Sequence, residues 1–143
     1  MKKVMLVGPV GAGKTSLIQA MQQTNKKAEK TQSILFTDDA IDTPGEYAQI
    51  PRFYSALMVT ATQADAVVIV QDAGDLKINM PPGFAGMFAR KVVGVVTKVD
   101  KADIDKEKAK KNLLQTGVRE PVFFVSAHTG EGLDELRTYL ESL

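Results

Sequence analysis

The tightest constraint on this chain lies near its start. Gly8-Pro9-Val10-Gly11-Ala12-Gly13-Lys14-Thr15 has the spacing glycine, any four residues, then Gly-Lys-Thr. An apolar run, Val4-Met5-Leu6-Val7, comes immediately before it, and a helix-forming stretch follows. Strand, glycine loop and helix in that order make a phosphate cradle. The glycines let backbone N–H groups converge on an anion, and the helix N-terminus adds its dipole. Lys14 supplies a point charge, Thr15 a hydroxyl suited to a hard cation such as Mg²⁺, and Ser16 closes the loop. Met1-Lys2-Lys3 ahead of the run resembles the opening of a secretory signal. The run stops at Gly8, however, and reads as a buried strand.

A cradle of this kind is built at the carboxyl end of a sheet, and the rest of the chain supplies one. Short apolar runs alternate with amphipathic stretches, the pattern of βα units around a mostly parallel sheet. Strands are predicted over residues 3–7, 33–36, 40–42, 66–71, 92–97 and 122–126, and helices over 14–23, 51–63, 103–115 and 133–142. The runs at 67–70, 92–96 and 122–125 are continuous and β-branched or aromatic, as expected of strands covered on both faces. Leu133, Leu136, Leu140 and Leu143 form a core-facing stripe on the last helix. Asp103 is placed to cap the third helix, with Gly117 just past its end. Between the strands at 66–71 and 92–97, Pro81-Pro82-Gly83 and Gly86 leave room for one or two helical turns at most. The expectation is a three-layer α/β domain over residues 1–143, with a shortened helix between the fourth and fifth strands.

Composition narrows the partners. At 143 residues the chain can bury a core, and a formal net charge of +1 gives no field suited to nucleic acid or an anionic membrane. There is no cysteine, so disulfides, thiolate metal sites and cysteine nucleophiles are excluded. The lysines between Lys101 and Lys111 alternate with Asp103, Asp105 and Glu107 and read as a solvated helix face. No stretch is long enough to span a bilayer, and the expected address is the cytoplasm.

Three further elements stand at strand ends, where ligands bind in open α/β sheets. In Asp42-Thr43-Pro44-Gly45-Glu46 the aspartate can hold Mg²⁺ through its water shell, and Gly45 can offer an N–H to a γ-phosphate. The alternative is a Pro-Gly β-turn. In Thr97-Lys98-Val99-Asp100 the carboxylate can accept two hydrogen bonds from guanine N1–H and N2–H₂, with the lysine stem along the ring. Adenine lacks that donor pair, so Asp100 selects against ATP. In Ser126-Ala127-His128 the backbone can donate to guanine O6, and His128 is a loop residue beside the base.

In order and placement, these four elements resemble the G1, G3, G4 and G5 boxes of translation-factor-related small GTPases. The ending Ser126-Ala127-His128-Thr129-Gly130-Glu131-Gly132-Leu133 is similar to the tail of bacterial members of that class. The compact Asp42-Thr43-Pro44-Gly45-Glu46-Tyr47 box and Pro81-Pro82-Gly83-Phe84-Ala85 more narrowly resemble the EutP/PduV family, which accompanies ethanolamine- and propanediol-utilisation microcompartments. The resemblance implies a P-loop NTPase sheet of six strands, one antiparallel, and GTP or GDP with Mg²⁺ as ligands. Phosphates would be held by residues 8–16, Mg²⁺ by Thr15 with Asp42, and the base by Thr97, Lys98, Asp100, Ser126, Ala127 and His128. A shell or enzyme protein of a microcompartment is the implied partner, met through two switches at roughly 25–36 and 45–53.

Departures from the pattern shape the chemistry. Asp42 follows Lys14 by only 28 positions, so the first switch is compact. Its Mg²⁺-ligating threonine has Thr31 as counterpart, with Thr24 as competitor and a plain strand-entry threonine as the structural alternative. Thr97 stands where asparagine is commonest, and Glu46 where a water-orienting glutamine often stands. With Lys14 and Gly45, Glu46 makes up the candidate catalytic set. A carboxylate there would be repelled by a γ-phosphate, which implies slow hydrolysis. Two other functions compete. One is a P-loop kinase passing phosphate from ATP to a small carboxylate, acetate kinase-like. The other is a non-catalytic, nucleotide-dependent docking module.

Overall fold

The computed structural model describes residues 3–27, 40–43, 45–75 and 80–143. Its strands are β1 (Val4–Val7), β2 (Ile41–Asp42), β3 (Ala66–Asp72), β4 (Lys91–Thr97) and β5 (Val122–Phe124). Its helices are α1 (Lys14–Lys27), α2 (Gly45–Gln49), α3 (Tyr54–Ala61), α4 (Lys106–Gln115) and α5 (Leu133–Glu141). The strands lie in the order β2-β1-β3-β4-β5, and every pair among them is parallel. From β1 the chain moves outward to β2, then returns to lay β3 on the other side. The crevice where that direction reverses lies at the carboxyl end of β1, where the glycine loop begins. The strand expected at 33–36 lies outside the described residues, and none of the five described strands is the expected antiparallel one.

Alternation along the strands explains the three layers, because successive side chains point to opposite faces. Val4 and Leu6 of β1, with Val68, Val70, Val93 and Val95, pack against Leu17 and Met21 of α1 and Leu133, Leu136 and Leu140 of α5. Met5 and Val7, with Val67, Ile69 and Val96, pack on the other face with Ala48, Leu57, Ala109 and Leu113 from α2, α3 and α4. The shortened connection is a 3₁₀ turn, Phe84–Met87. Met80, Phe84, Ala85 and Phe88 are buried in that second core, filling space that a full helix would cover.

The structure corrects several expected boundaries. The helix expected at 51–63 begins as a 3₁₀ turn at Pro51–Phe53 and continues as α3 to Ala61, and α2, which was not expected, precedes it. Gly45 opens α2 where a Pro-Gly turn was the alternative. The cap of α4 is Asp105, whose side chain accepts from Lys108 N at 3.0 Å. Asp103 instead takes the left-handed region at φ 57° and cannot serve. Gly117, just past α4, takes φ +101°, the conformation that closes a helix most readily without a β-carbon. β5 is half-buried, because it pairs on one side only and forms a sheet edge.

Leu136 is fully buried between α5 and the sheet. Leu136→Ala is expected to destabilise the fold by about 2–5 kcal/mol, read from the midpoint of chemical denaturation.

Candidate functional site

All five parallel strands deliver their carboxyl ends to one rim, and the chemistry-bearing residues follow from that. Residues 8–15 leave β1, Asp42 ends β2, Asp72 ends β3, Thr97 ends β4, and Ser126 follows β5. Two cavities open there and share Gly13, Ser16 and Lys98. One, of about 650 Å³, is lined by Gln19, Ala20, Thr97, Asp100, Lys101, Ala127 and His128 besides the shared residues. The other, of about 600 Å³, adds Val10, Gly11, Lys14, Thr15, Asp42, Thr43, Gly45 and Glu46 to them. The first carries the Asp100 carboxylate suited to the donor edge of a base, and the second has the cation and glycine loop suited to phosphates.

The glycine loop is held by side chains from other elements. Thr97 Oγ1 donates to Ala12 O at 2.6 Å and approaches Gln71 O at 3.3 Å. Lys98 Nζ donates to Gly11 O at 2.6 Å. Lys14, buried in the cradle, donates to Gly8 O at 2.8 Å and Pro9 O at 3.1 Å. Burial pushes the Lys14 ammonium below its ordinary value, and the carboxylates of Asp42 and Glu46 oppose that shift. An anion entering the cradle would add to the same opposition.

Thr15 Oγ1 donates to Asp42 Oδ2, so the hydroxyl from α1 and the carboxylate from β2 already face one another. These are hard oxygen donors, and they fit Mg²⁺. Among the described residues no three His, Cys, Asp or Glu come together as a metal site. Thr31 lies outside the described residues, and its competitor Thr24 falls within α1. Gly45 packs on the glycine loop so closely that a β-carbon there would stand 2.6 Å from Val10 Cα. Glu46 is exposed at the mouth of the phosphate cavity.

At the other end, Ser126 Oγ donates to Asp100 Oδ1 at 2.7 Å and accepts from Thr129 N at 3.1 Å. The Ser126 hydroxyl holds the Asp100 carboxyl below the usual carboxylate range. Asp100 is exposed and charged, with one oxygen anchored. Ala127 and His128 line the same cavity. Arg52 stays outside both cavities, over the ring of Phe53 at 4.9 Å.

Apart from Thr24, every candidate residue of the sequence analysis that lies within the described residues is thus at this rim. Sequence reasoning missed Gln19, Ala20 and Lys101 in the base cavity, and Asp72, which pairs with Lys98 at 3.0 Å. Asp72 was reachable by the strand-end rule. The others carry no signal until α1 and the β4 loop are brought together.

A parallel three-layer sheet with its phosphate loop at the switch crevice and a carboxylate at the far end of the same groove defines a P-loop domain of the small-GTPase type. Known proteins agree. The family model PduV-EutP, described as "Ethanolamine utilisation - propanediol utilisation", matches residues 1–142, and the chain belongs to that family. The Escherichia coli K12 protein described as "Probable acetate kinase EutP" is 39 % identical over 145 residues, covering 100 % of this chain and 91 % of its own. The propanediol utilization protein PduV of Citrobacter freundii is 39 % identical over 142 residues, covering 99 % and 95 %. The cytosolic domain of the T. maritima FeoB iron transporter, solved in its GMPPNP form, is 28 % identical with a TM-score of 0.63. That match covers 99 % of this chain and 63 % of the other. Among the described residues no helix is long and apolar enough to cross a membrane.

The lowered Asp100 value gives a signed pH prediction. Its charged form persists below the usual carboxylate range and is lost as pH falls through the lowered value. Ser126→Ala should move that loss upward, toward the ordinary carboxylate range, as read by a carboxyl-carbon NMR titration of Asp100. An unchanged titration would remove the hydroxyl as its cause.

Proposed function

We propose that this chain is a Mg²⁺-dependent guanine-nucleotide-binding protein, a slow GTPase or nucleotide switch of the ethanolamine- and propanediol-utilisation systems, working in the cytoplasm. The observation that carries this reading is the Asp100 carboxylate, one oxygen anchored by Ser126, in the cavity that Lys98 also lines. A fixed acceptor there suits the paired N–H donors of guanine and leaves adenine without a match. The GMPPNP form of the structural relative supports the same ligand class.

Mg²⁺ held by Thr15 with Asp42 would neutralise charge on the β- and γ-phosphates. Lys14 would add a second cation, and Gly45 an amide toward the γ-phosphate. Glu46 brings a carboxylate to the same mouth, which opposes a phosphate and orients water less readily than a glutamine. Slow turnover follows. A partner protein meeting the surface around residues 45–53 would be the natural means of moving Glu46, and a microcompartment shell or enzyme protein is the class the family suggests.

A second reading is supported by the description of the E. coli relative: phosphate transfer from ATP to acetate. Such a site needs cations to clamp the transferred phosphoryl group and the acceptor carboxylate. The phosphate cavity is lined by two lysines, Lys14 and Lys98, and no arginine among the described residues, and it carries Asp42 and Glu46. That balance favours hydrolysis or switching over transfer to an anion.

Calorimetric titration of nucleotide-free protein in Mg²⁺ with GTP, GDP and ATP should show a guanine preference of tenfold or more. That is about 1.4 kcal/mol, and Asp100→Ala should abolish it. Equal or better binding of ATP, insensitive to Asp100, together with acetyl phosphate formation from acetate, would replace this reading with the kinase. Tight guanine binding without phosphate release over many turnovers would leave a docking module.

A further inference from the structure

Asp72 lines neither cavity, yet its carboxylate grips a residue that lines both. Asp72 ends β3 and is mostly buried. Its Oδ1 accepts from Gly74 N at 2.8 Å, which fixes the carboxylate plane, and its Oδ2 meets Lys98 Nζ at 3.0 Å. The same ammonium donates to Gly11 O at 2.6 Å. The Lys98 stem passes 3.5 Å from the point that a β-carbon on Gly13 would occupy. Lys98 itself sits at φ 61°, a region that residues with a β-carbon occupy when their surroundings hold them there.

A lysine side chain is flexible and strongly hydrated, and left alone it would sample many rotamers. Two acceptors, the Asp72 carboxylate and the Gly11 carbonyl, restrict that freedom. We infer that Asp72 is a positioning residue for the nucleotide site. By pairing with Lys98 it seats the ammonium on the Gly11 carbonyl and holds the stem along the wall shared by the base and phosphate cavities. Base and phosphate are therefore gripped through one side chain, and the grip is set from β3, behind the site. The inference rests on the nucleotide-binding reading above but not on the choice of base.

A plain structural role would be to form the turn at Gly74 through Oδ1. Asp72→Asn keeps an acceptor for that amide and removes only the charge facing Lys98, so it separates the two roles. The experiment measures release of fluorescent GDP and ADP analogues from the full chain, its Asp72→Asn and Lys98→Gln variants, and the double variant. Asp72→Asn should speed release about tenfold. Lys98→Gln should speed it at least as much, and the double variant should release no faster than Lys98→Gln alone. A tenfold effect of Asp72→Asn that persists in the Lys98→Gln background would overturn the proposal. So would an Asp72→Asn variant that releases at the parental rate. If Asp72→Asn lowers the thermal midpoint, Asp72→Ser, which also offers the turn an oxygen, repeats the cycle on a second footing. A parent that retains ADP and not GDP refutes the guanine reading, while the same cycle read with ADP still judges Asp72. A parent that retains neither overturns both.

Discussion

The hydroxyl of Thr97 reaches across 85 residues of chain to the Ala12 carbonyl, and the site depends on that bond. A glycine-rich loop is cheap to bend and costly to hold, because its backbone has more freedom to lose than any other. Here β4, a buried central strand, does the holding. Because the peptide is planar and trans, fixing the Ala12 carbonyl toward Thr97 turns the Gly13 N–H the opposite way, and Gly13 is shared by both cavities. Lys98, the next residue, repeats the tie one peptide earlier at Gly11. The loop thus takes its shape from a strand that does not adjoin β1, with β3 standing between them.

Charge is arranged with the same economy. The cradle holds one buried ammonium, Lys14, satisfied by two carbonyls, while Asp42 and Glu46 stand at its mouth. Burial alone would favour the neutral amine, and the two carboxylates hold the charge in place. At the base end the sign is reversed. Asp100 is exposed, and a neutral hydroxyl suffices to fix one of its oxygens and favour its charged form. The groove runs from a caged cation to an anchored anion, a polarity that matches a phosphate tail at one end and a donor edge at the other.

Much of this was legible in the chain. The glycine motif named β1 and α1 together, and Asp42, Thr97, Asp100 and Ser126 were found because each closes an apolar run. What escaped depended on neighbours in space. Asp103 and Asp105 are equally plausible caps in one dimension, and only the left-handed turn at Asp103 decides between them. The apolar run at 122–125 promised a strand covered on both faces. Nothing local says that β5 stands at the edge, since strand order is set by crossovers. Gly45 reads as an amide donor to a phosphate, with a Pro-Gly turn as the alternative, and its close approach to Val10 has no signal in one dimension. Asp72 stands one residue past the strand expected at 66–71, and its partner lies 26 residues away.

Among the described residues the outermost strand on the side of β1 has a consequence of its own. β2 is two residues long and meets β1 in two register pairs, with Thr43 adding bonds from its amide and its hydroxyl to Leu6 O. Among the described strands Asp42 therefore rides on the one with the fewest register pairs, while Thr15, its partner, is rooted in a long helix. A divalent ion between them would work as a rivet through a thin margin. The energy of closing it would go largely into tightening that margin, and the fabric would fray there first whenever the rivet is drawn.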